Sequence, residues 1–134
     1  MRLTKDEYYL KIADAVKERS TCMRRKYGAV IVKDDEIIAT GYNGSPRGEP
    51  NCDEFGHCWR EEHEIPHGEK YESCRSVHAE MNAIISASRR DMIGATLYLT
   101  SDTPDAEPCD ICKRLIKNAG IAKVVTNETK IFKQ

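Results

Sequence analysis

No run in this 134-residue chain is apolar for long enough to cross a bilayer, which excludes a transmembrane helix. It also lacks an excess of either charge. Its 21 Lys and Arg are set against 22 Asp and Glu for a net charge of -1, so no global basic field marks a nucleic-acid or membrane partner. Without an aromatic-basic stripe, it also lacks the electrostatic funnel that polynucleotide substrates use. The opening residues, Met1-Arg2-Leu3-Thr4-Lys5-Asp6-Glu7, carry none of the apolar core of a secretory signal, so the expected location is cytoplasmic. There is no internal repeat and no low-complexity segment. The length suits a single domain over residues 1–134 with one core.

Six cysteines are present, and in a reducing compartment they favour metal over disulfides. Thr4-Lys5-Asp6-Glu7 has the form of a capping box. Tyr8, Ile12, Ala15 and Val16 follow at helical spacing, which predicts an amphipathic helix over roughly 5–19. Gly28–Lys33 and Glu36–Gly41 are β-rich runs around Asp34-Asp35 and read as a hairpin. The second run leaves into the turn-rich Tyr42-Asn43-Gly44-Ser45-Pro46-Arg47-Gly48, a usual place for ligand contacts.

Residues 49–75 follow neither period and hold Cys52, His57, Cys58, His63, His67 and Cys74. So long a loop needs a fastener, and a bound metal is the obvious one. A second helix is predicted from Ser76 to Arg89 or Arg90, with Val77, Met81, Ile84 and Ile85 on its buried face. Ala95–Thr100 reads as a third strand. Pro108 suits the first turn of a third helix that Gly120 ends, and Ile121–Thr126 reads as a fourth strand before a short polar tail. Strands alternating with helices indicate an α/β/α sandwich around a mixed sheet.

The chemistry concentrates in two short stretches, Val77-His78-Ala79-Glu80 and Pro108-Cys109-Asp110-Ile111-Cys112. Together they match the H-x-E…P-C-x-x-C pattern of zinc deaminases. Cys109 and Cys112 stand one turn apart at a helix start, so both sulfurs can face one ion, and the helix dipole favours thiolate. With His78 as third ligand, the fourth zinc position is left for water, as in a catalytic site. Glu80 is placed to take that water's proton and pass it on. A structural zinc knot would need a fourth ligand close by and would leave Glu80 without a purpose.

Four blocks carry a wider resemblance. They are Ser20-Thr21-Cys22 with Gly28–Val32, Gly41–Gly48, His78–Ile84, and Pro108-Cys109 with Cys112 and Ala119-Gly120-Ile121. On these the chain resembles the cytidine/deoxycytidylate deaminase superfamily, and within it most closely the deoxycytidylate (dCMP) deaminase branch. The resemblance implies hydrolysis of dCMP to dUMP and ammonia, feeding thymidylate synthesis. It gives His78, Cys109 and Cys112 as zinc ligands, Glu80 as proton shuttle, Asn43 as the contact to the nucleotide sugar, and Ala79 as a further substrate contact. Arg25 and Arg47, with Arg24 and Lys26 nearby, are the candidates for the 5′-phosphate. It also implies a homo-oligomer, commonly a hexamer, with dCTP and dTTP as effectors. Arg89 is the candidate contact to an effector or neighbouring subunit.

One departure bears on the substrate. The family usually reaches Pro-Cys within about two residues of the third strand, whereas here Ser101–Glu107 intervenes with Asp102, Asp105 and Glu107. Each carboxylate would repel a phosphate by roughly 1 kcal/mol at 4 Å in water. Either the link folds outward, the favoured expectation, or the substrate differs. Cys22, Cys52, Cys58 and Cys74 are candidates for a second, structural zinc, the alternative being ordinary buried thiols. The competing functions are a deaminase of another aminated ring, such as a modified cytidylate, a pterin or a purine, and a zinc-stabilised nucleotide-binding protein without turnover.

Overall fold

Thr4 opens the first helix, α1 (Lys5–Lys17), by accepting a hydrogen bond from the Glu7 N–H, while the Glu7 carboxylate accepts from the Thr4 N–H. The structure, a computed structural model, describes residues 2–22, 24–50, 76–104, 106–127 and 131–133. Along α1 the buried face is Tyr9, Leu10 and Ala13, with Ile12 and Val16 half-covered; Tyr8 and Ala15 are exposed. The stripe expected from Tyr8 and Ala15 is therefore rotated by about one position. Tyr9 is drawn inward instead, its ring 5.3 Å from that of Tyr98 and its hydroxyl donating to the Asp35 carbonyl at 3.0 Å.

A five-stranded mixed sheet forms the middle layer, in the order β2-β1-β3-β4-β5. Strands β1 (Tyr27–Lys33) and β2 (Glu36–Tyr42) make the expected hairpin, and β1 also pairs antiparallel with β3 (Thr96–Ser101). Strand β4 (Lys123–Thr126) runs parallel to β3, and β5 (Ile131–Lys133) returns antiparallel on β4. The tail thus adds a fifth strand where only a polar end was expected. Its apolar pair Ile131-Phe132 was too short a run to register as a strand.

On one face of the sheet lies α1. Tyr9, Leu10 and Ala13 pack there with Val30, Val32, Tyr98 and Val125. The opposite face carries α2 (Ala79–Ile85), the one-turn α3 (Arg89–Met92) and α4 (Asp110–Ala119), over Ala29, Ile31, Leu97, Leu99 and Val124. Alternate residues of β1 and β3 supply the two cores, as the pleat requires. The expected α/β/α sandwich is observed.

The predicted helix over 76–90 is in fact two helices. Val77 exchanges backbone hydrogen bonds with Gly44, so the chain stays extended until His78 caps α2. Ser88 then accepts from the Asp91 N–H and restarts the helix as α3. Ala79, Glu80 and Ala83 are buried, whereas Ile85, expected to be inward, is 76% exposed. Pro108 lies one residue ahead of the cap Cys109, outside α4 rather than in its first turn. Gly120 ends α4 in the left-handed conformation, φ 87°.

The Tyr9–Asp35 contact makes stability sensitive to alkali. Its hydrogen bond to Asp35, then burial, hold the Tyr9 hydroxyl up at about 12 against an ordinary 10.0. The folded state therefore keeps a proton that the unfolded chain releases. That contribution is complete below pH 10 and is lost as pH rises through about 12. Thermal midpoints between pH 9 and 12 should fall in the unaltered protein and fall less steeply in Tyr9→Phe. Parallel slopes would remove Tyr9 as the cause.

Candidate active site

The start of β1 and the ends of β2 and β3 lie at one end of the sheet, because Tyr27 pairs with Ser101 and Gly28 with Tyr42. The segments leaving that end carry the motif residues. The 43–45 turn follows β2, the 102–109 link follows β3, and His78 is tied in by the Gly44–Val77 bridge.

His78 caps α2, Cys109 caps α4, and Cys112 sits in the first turn of α4. His78 Nδ1 is 3.4 Å from Cys109 Sγ and 3.3 Å from Cys112 Sγ, and the three ligand atoms all lie within 4.8 Å of one another. A nitrogen and a sulfur sharing one tetrahedral zinc stand about 3.6 Å apart. The trio fits that ion, with Nδ1 as the facing nitrogen. The Cys112 N–H donates to Cys109 Sγ at 3.5 Å, so a backbone donor of the helix start is aimed at the sulfur.

Electrostatics support the same reading. Hydrogen bonds from the Cys112 thiol and from His78, with the Cys112 N–H, bring Cys109 down to about 4 against burial. Cys112 is pushed strongly up, first as donor to Cys109, then by burial and by the Glu80 charge. A divalent cation held between the two sulfurs would displace the protons of both thiols. Glu80, the second residue of α2, is 4% exposed, and burial is the main reason its carboxyl is raised above the ordinary range. His78 and Cys112 work against that rise and Cys109 adds to it, so Glu80 sits among the ligand groups.

The remaining sequence candidates scatter. The Asn43 oxygen accepts from Ser20 Oγ at 2.5 Å and from the Tyr27 N–H at 2.9 Å, while its nitrogen donates to the Arg25 carbonyl at 2.8 Å. Ala79 is fully buried in the core beside β2. Arg25 is half-buried, donates to Thr103 Oγ1, and lies over the Tyr27 ring at 5.4 Å. Arg47 is exposed, as is Arg89, whose Nε donates to the Asn118 carbonyl near the end of α4 at 3.4 Å. Cys22 is half-buried; Cys52, Cys58 and Cys74, with His57, His63 and His67, lie outside the described residues.

Two of the three acidic groups of the 101–107 link are held at the surface. Asp102 accepts from the Lys26 N–H, and Glu107 pairs with Lys113 at 2.7 Å. Asp105 lies outside the described residues. Ala106 and Pro108 are buried and anchor the link just before Cys109.

Sequence reasoning missed the residues that fasten this site. Gly41 lets α2 touch β2: a Cβ there would stand 2.4 Å from the Ala79 carbonyl oxygen and 2.4 Å from the Ala83 nitrogen. Asn82 adds a hydrogen bond to the Tyr42 carbonyl at 2.8 Å. Ser20 was legible only as part of a block, and nothing in its spacing pointed to Asn43.

Known proteins are similar to this chain over nearly all of its length. A sequence model of the cytidine and deoxycytidylate deaminase zinc-binding region matches residues 3–128. The deoxycytidylate deaminase of Mycobacterium phage D29 is 45% identical over 124 residues, covering 90% of this chain and 91% of the phage protein. That of Schizosaccharomyces pombe is 40% identical over 120 residues, again 90% of this chain but only 36% of the longer yeast protein. The crystal structure of dCMP deaminase from the cyanophage S-TIM5 superposes with a TM-score of 0.68 at 30% identity, covering 94% of this chain and 84% of that one.

Proposed function

The chain belongs to the cytidine and deoxycytidylate deaminase family, and from that premise we propose that it hydrolyses dCMP to dUMP and ammonia, supplying dUMP for thymidylate synthesis. The observation that carries this reading is the tetrahedral spacing of His78, Cys109 and Cys112 with a buried carboxyl beside them. The cyanophage relative has been solved with dCMP and dUMP, and the phage D29 enzyme matches this chain along nearly its whole length.

His78, Cys109 and Cys112 would hold a zinc ion, and that ion would supply the Lewis acidity that brings the pKa of a water towards neutrality. The protein's own part is proton handling. Glu80, with its raised affinity for a proton, takes one from the attacking water on a carboxylate oxygen. As the water oxygen bonds to the ring carbon that bears the amino group, Glu80 delivers that proton to the neighbouring ring nitrogen. It then carries the added hydroxyl's remaining proton to the amino group, so that the C–N bond breaks and ammonia leaves. Burial keeps bulk water from exchanging with the group between transfers. Asn43 reads the sugar at the end of β2, Ala79 lies beside the base, and Arg25 and Arg47 are the cations for the phosphate. Because Asp102 and Glu107 are engaged at the surface, their repulsion of a phosphate is weakened.

The same reading extends to one domain over residues 1–134, a cytoplasmic homo-oligomer, a hexamer regulated by dCTP and dTTP with Arg89 as a contact, and a second zinc on Cys22, Cys52, Cys58 and Cys74. The test is ammonia release from purified protein given dCMP, CMP, deoxycytidine and 5-substituted dCMP, with metal analysis of the same preparation. dCMP should be turned over fastest, with two zinc ions per chain. Turnover of another ring with dCMP inert would transfer the function to that ring. A bound metal with no turnover at all would favour a binding protein.

A further inference from the structure

We propose that Ser20 is a positioning residue for sugar recognition, setting the Asn43 carboxamide so that it offers a hydrogen-bond donor and no acceptor. The proposal rests on Asn43 being the sugar contact, as read above.

Ser20 and Asn43 are both buried, 7% and 6% exposed, and polar groups at such depth are costly unless their bonds are made. Ser20 Oγ accepts from the Cys22 N–H at 3.3 Å, so its own hydrogen is turned to the Asn43 oxygen 2.5 Å away. The Tyr27 N–H supplies a second donor to that oxygen, which fixes which end of the amide is oxygen. Both lone pairs of the oxygen are then used. One of the two amide hydrogens goes to the Arg25 carbonyl, leaving one N–H to face a ligand. Two donors on the oxygen also polarise the amide and strengthen that remaining N–H as a donor.

The placement of this N–H is what connects it to the reaction. Gly44 and Val77 form an antiparallel bridge between two segments of the chain, so Asn43, one residue before Gly44, and His78, one residue after Val77, lie at the same end of it. The donor therefore stands beside a zinc ligand, where the sugar of a nucleotide would lie once its ring is at the metal. A deoxyribose 5′-phosphate has one free hydroxyl, at the 3′ position, and its oxygen is the acceptor that such a donor selects.

The test uses the zinc-loaded enzyme with Ser20→Ala, Ser20→Cys and Ser20→Thr, beside Asn43→Ala, on dCMP and on 2′,3′-dideoxycytidylate. Ser20→Ala should raise KM for dCMP about tenfold, with kcat within about twofold and zinc content unchanged. Threonine keeps the hydroxyl and should restore most of the loss, with cysteine, a weak donor, in between. On the dideoxy substrate, which lacks the acceptor, unaltered enzyme and Ser20→Ala should have the same KM. An equal rise on both substrates would mean Ser20 acts only on the fold, and no rise on dCMP would also overturn the proposal. If Asn43→Ala raises KM but Ser20→Ala does not, the sugar contact stands and its positioning by Ser20 fails. If Asn43→Ala leaves KM unchanged, the contact itself is wrong. Should Ser20→Ala not fold, the order of KM among serine, threonine and cysteine still decides: equal values reject the role.

Discussion

Glu80→Gln should lower kcat by on the order of a thousandfold while the protein still binds zinc at His78, Cys109 and Cys112. Glutamine keeps the shape and the burial but can neither accept nor deliver the proton. Among the described residues, no other carboxylate is placed to substitute. Asp102 is engaged by the Lys26 N–H and Glu107 by Lys113, both at the surface. Burial already disfavours the charged form of Glu80, so a neutral side chain should leave the thermal midpoint unchanged or higher. Metal analysis, thermal melting and steady-state kinetics on one preparation test all three statements. Loss of zinc in this variant would mean that Glu80 supports the ligands rather than moving protons.

The site is more legible in the sequence than its fastening because ligands are chosen by chemistry and fastenings by space. Histidine and two cysteines at these spacings have few uses, and the strands beneath the helices that carry them show the β-branched runs of a buried sheet. The helix over 76–90 was overextended because its apolar residues do fall at helical intervals. What breaks it is Val77, held extended by a partner 33 residues earlier in the chain, and no local pattern contains that pairing. Ser88 with Asp91 was a local cap signal that could have located the restart at α3.

On α1 the expected stripe was off by one position because the tyrosine that reaches Asp35 outweighs the period. Tyr8 and Tyr9 are alike as letters, and only the hairpin turn at Asp35 distinguishes them. In the same way, Asn43 reads from the sequence as a residue in a turn. Only the fold shows three of its hydrogen-bonding positions already taken.

Gly41→Ala should lower activity about a hundredfold or more through the backbone, though residue 41 has no side chain to contribute to catalysis. The added Cβ would come within 2.4 Å of the Ala79 oxygen and the Ala83 nitrogen, and 3.0 Å of the Asn82 carbonyl carbon. All three are backbone atoms of α2, so no rotamer relieves the clash, and the helix must move outward by about 1 Å to regain ordinary contact. His78 and Glu80 travel with α2, whereas Cys109 and Cys112 are carried by α4. A metal site tolerates roughly 0.2 Å in its ligand distances, and a 1 Å misplacement of reacting groups costs about a hundredfold in rate. We expect weaker zinc binding in a chelator competition, a fall in kcat/KM of about a hundredfold or more, and a loss of about 1–3 kcal/mol in urea unfolding. Gly28→Ala is the control. Its Cβ would stand 2.2 Å from the Ala13 carbonyl oxygen of α1, on the face of the sheet away from the metal. It should destabilise the fold as much, yet the folded fraction should bind zinc as the unaltered protein does. Equal zinc loss in both variants would show that the site responds to global stability, and retained zinc in Gly41→Ala would show that α2 does not carry His78 with it.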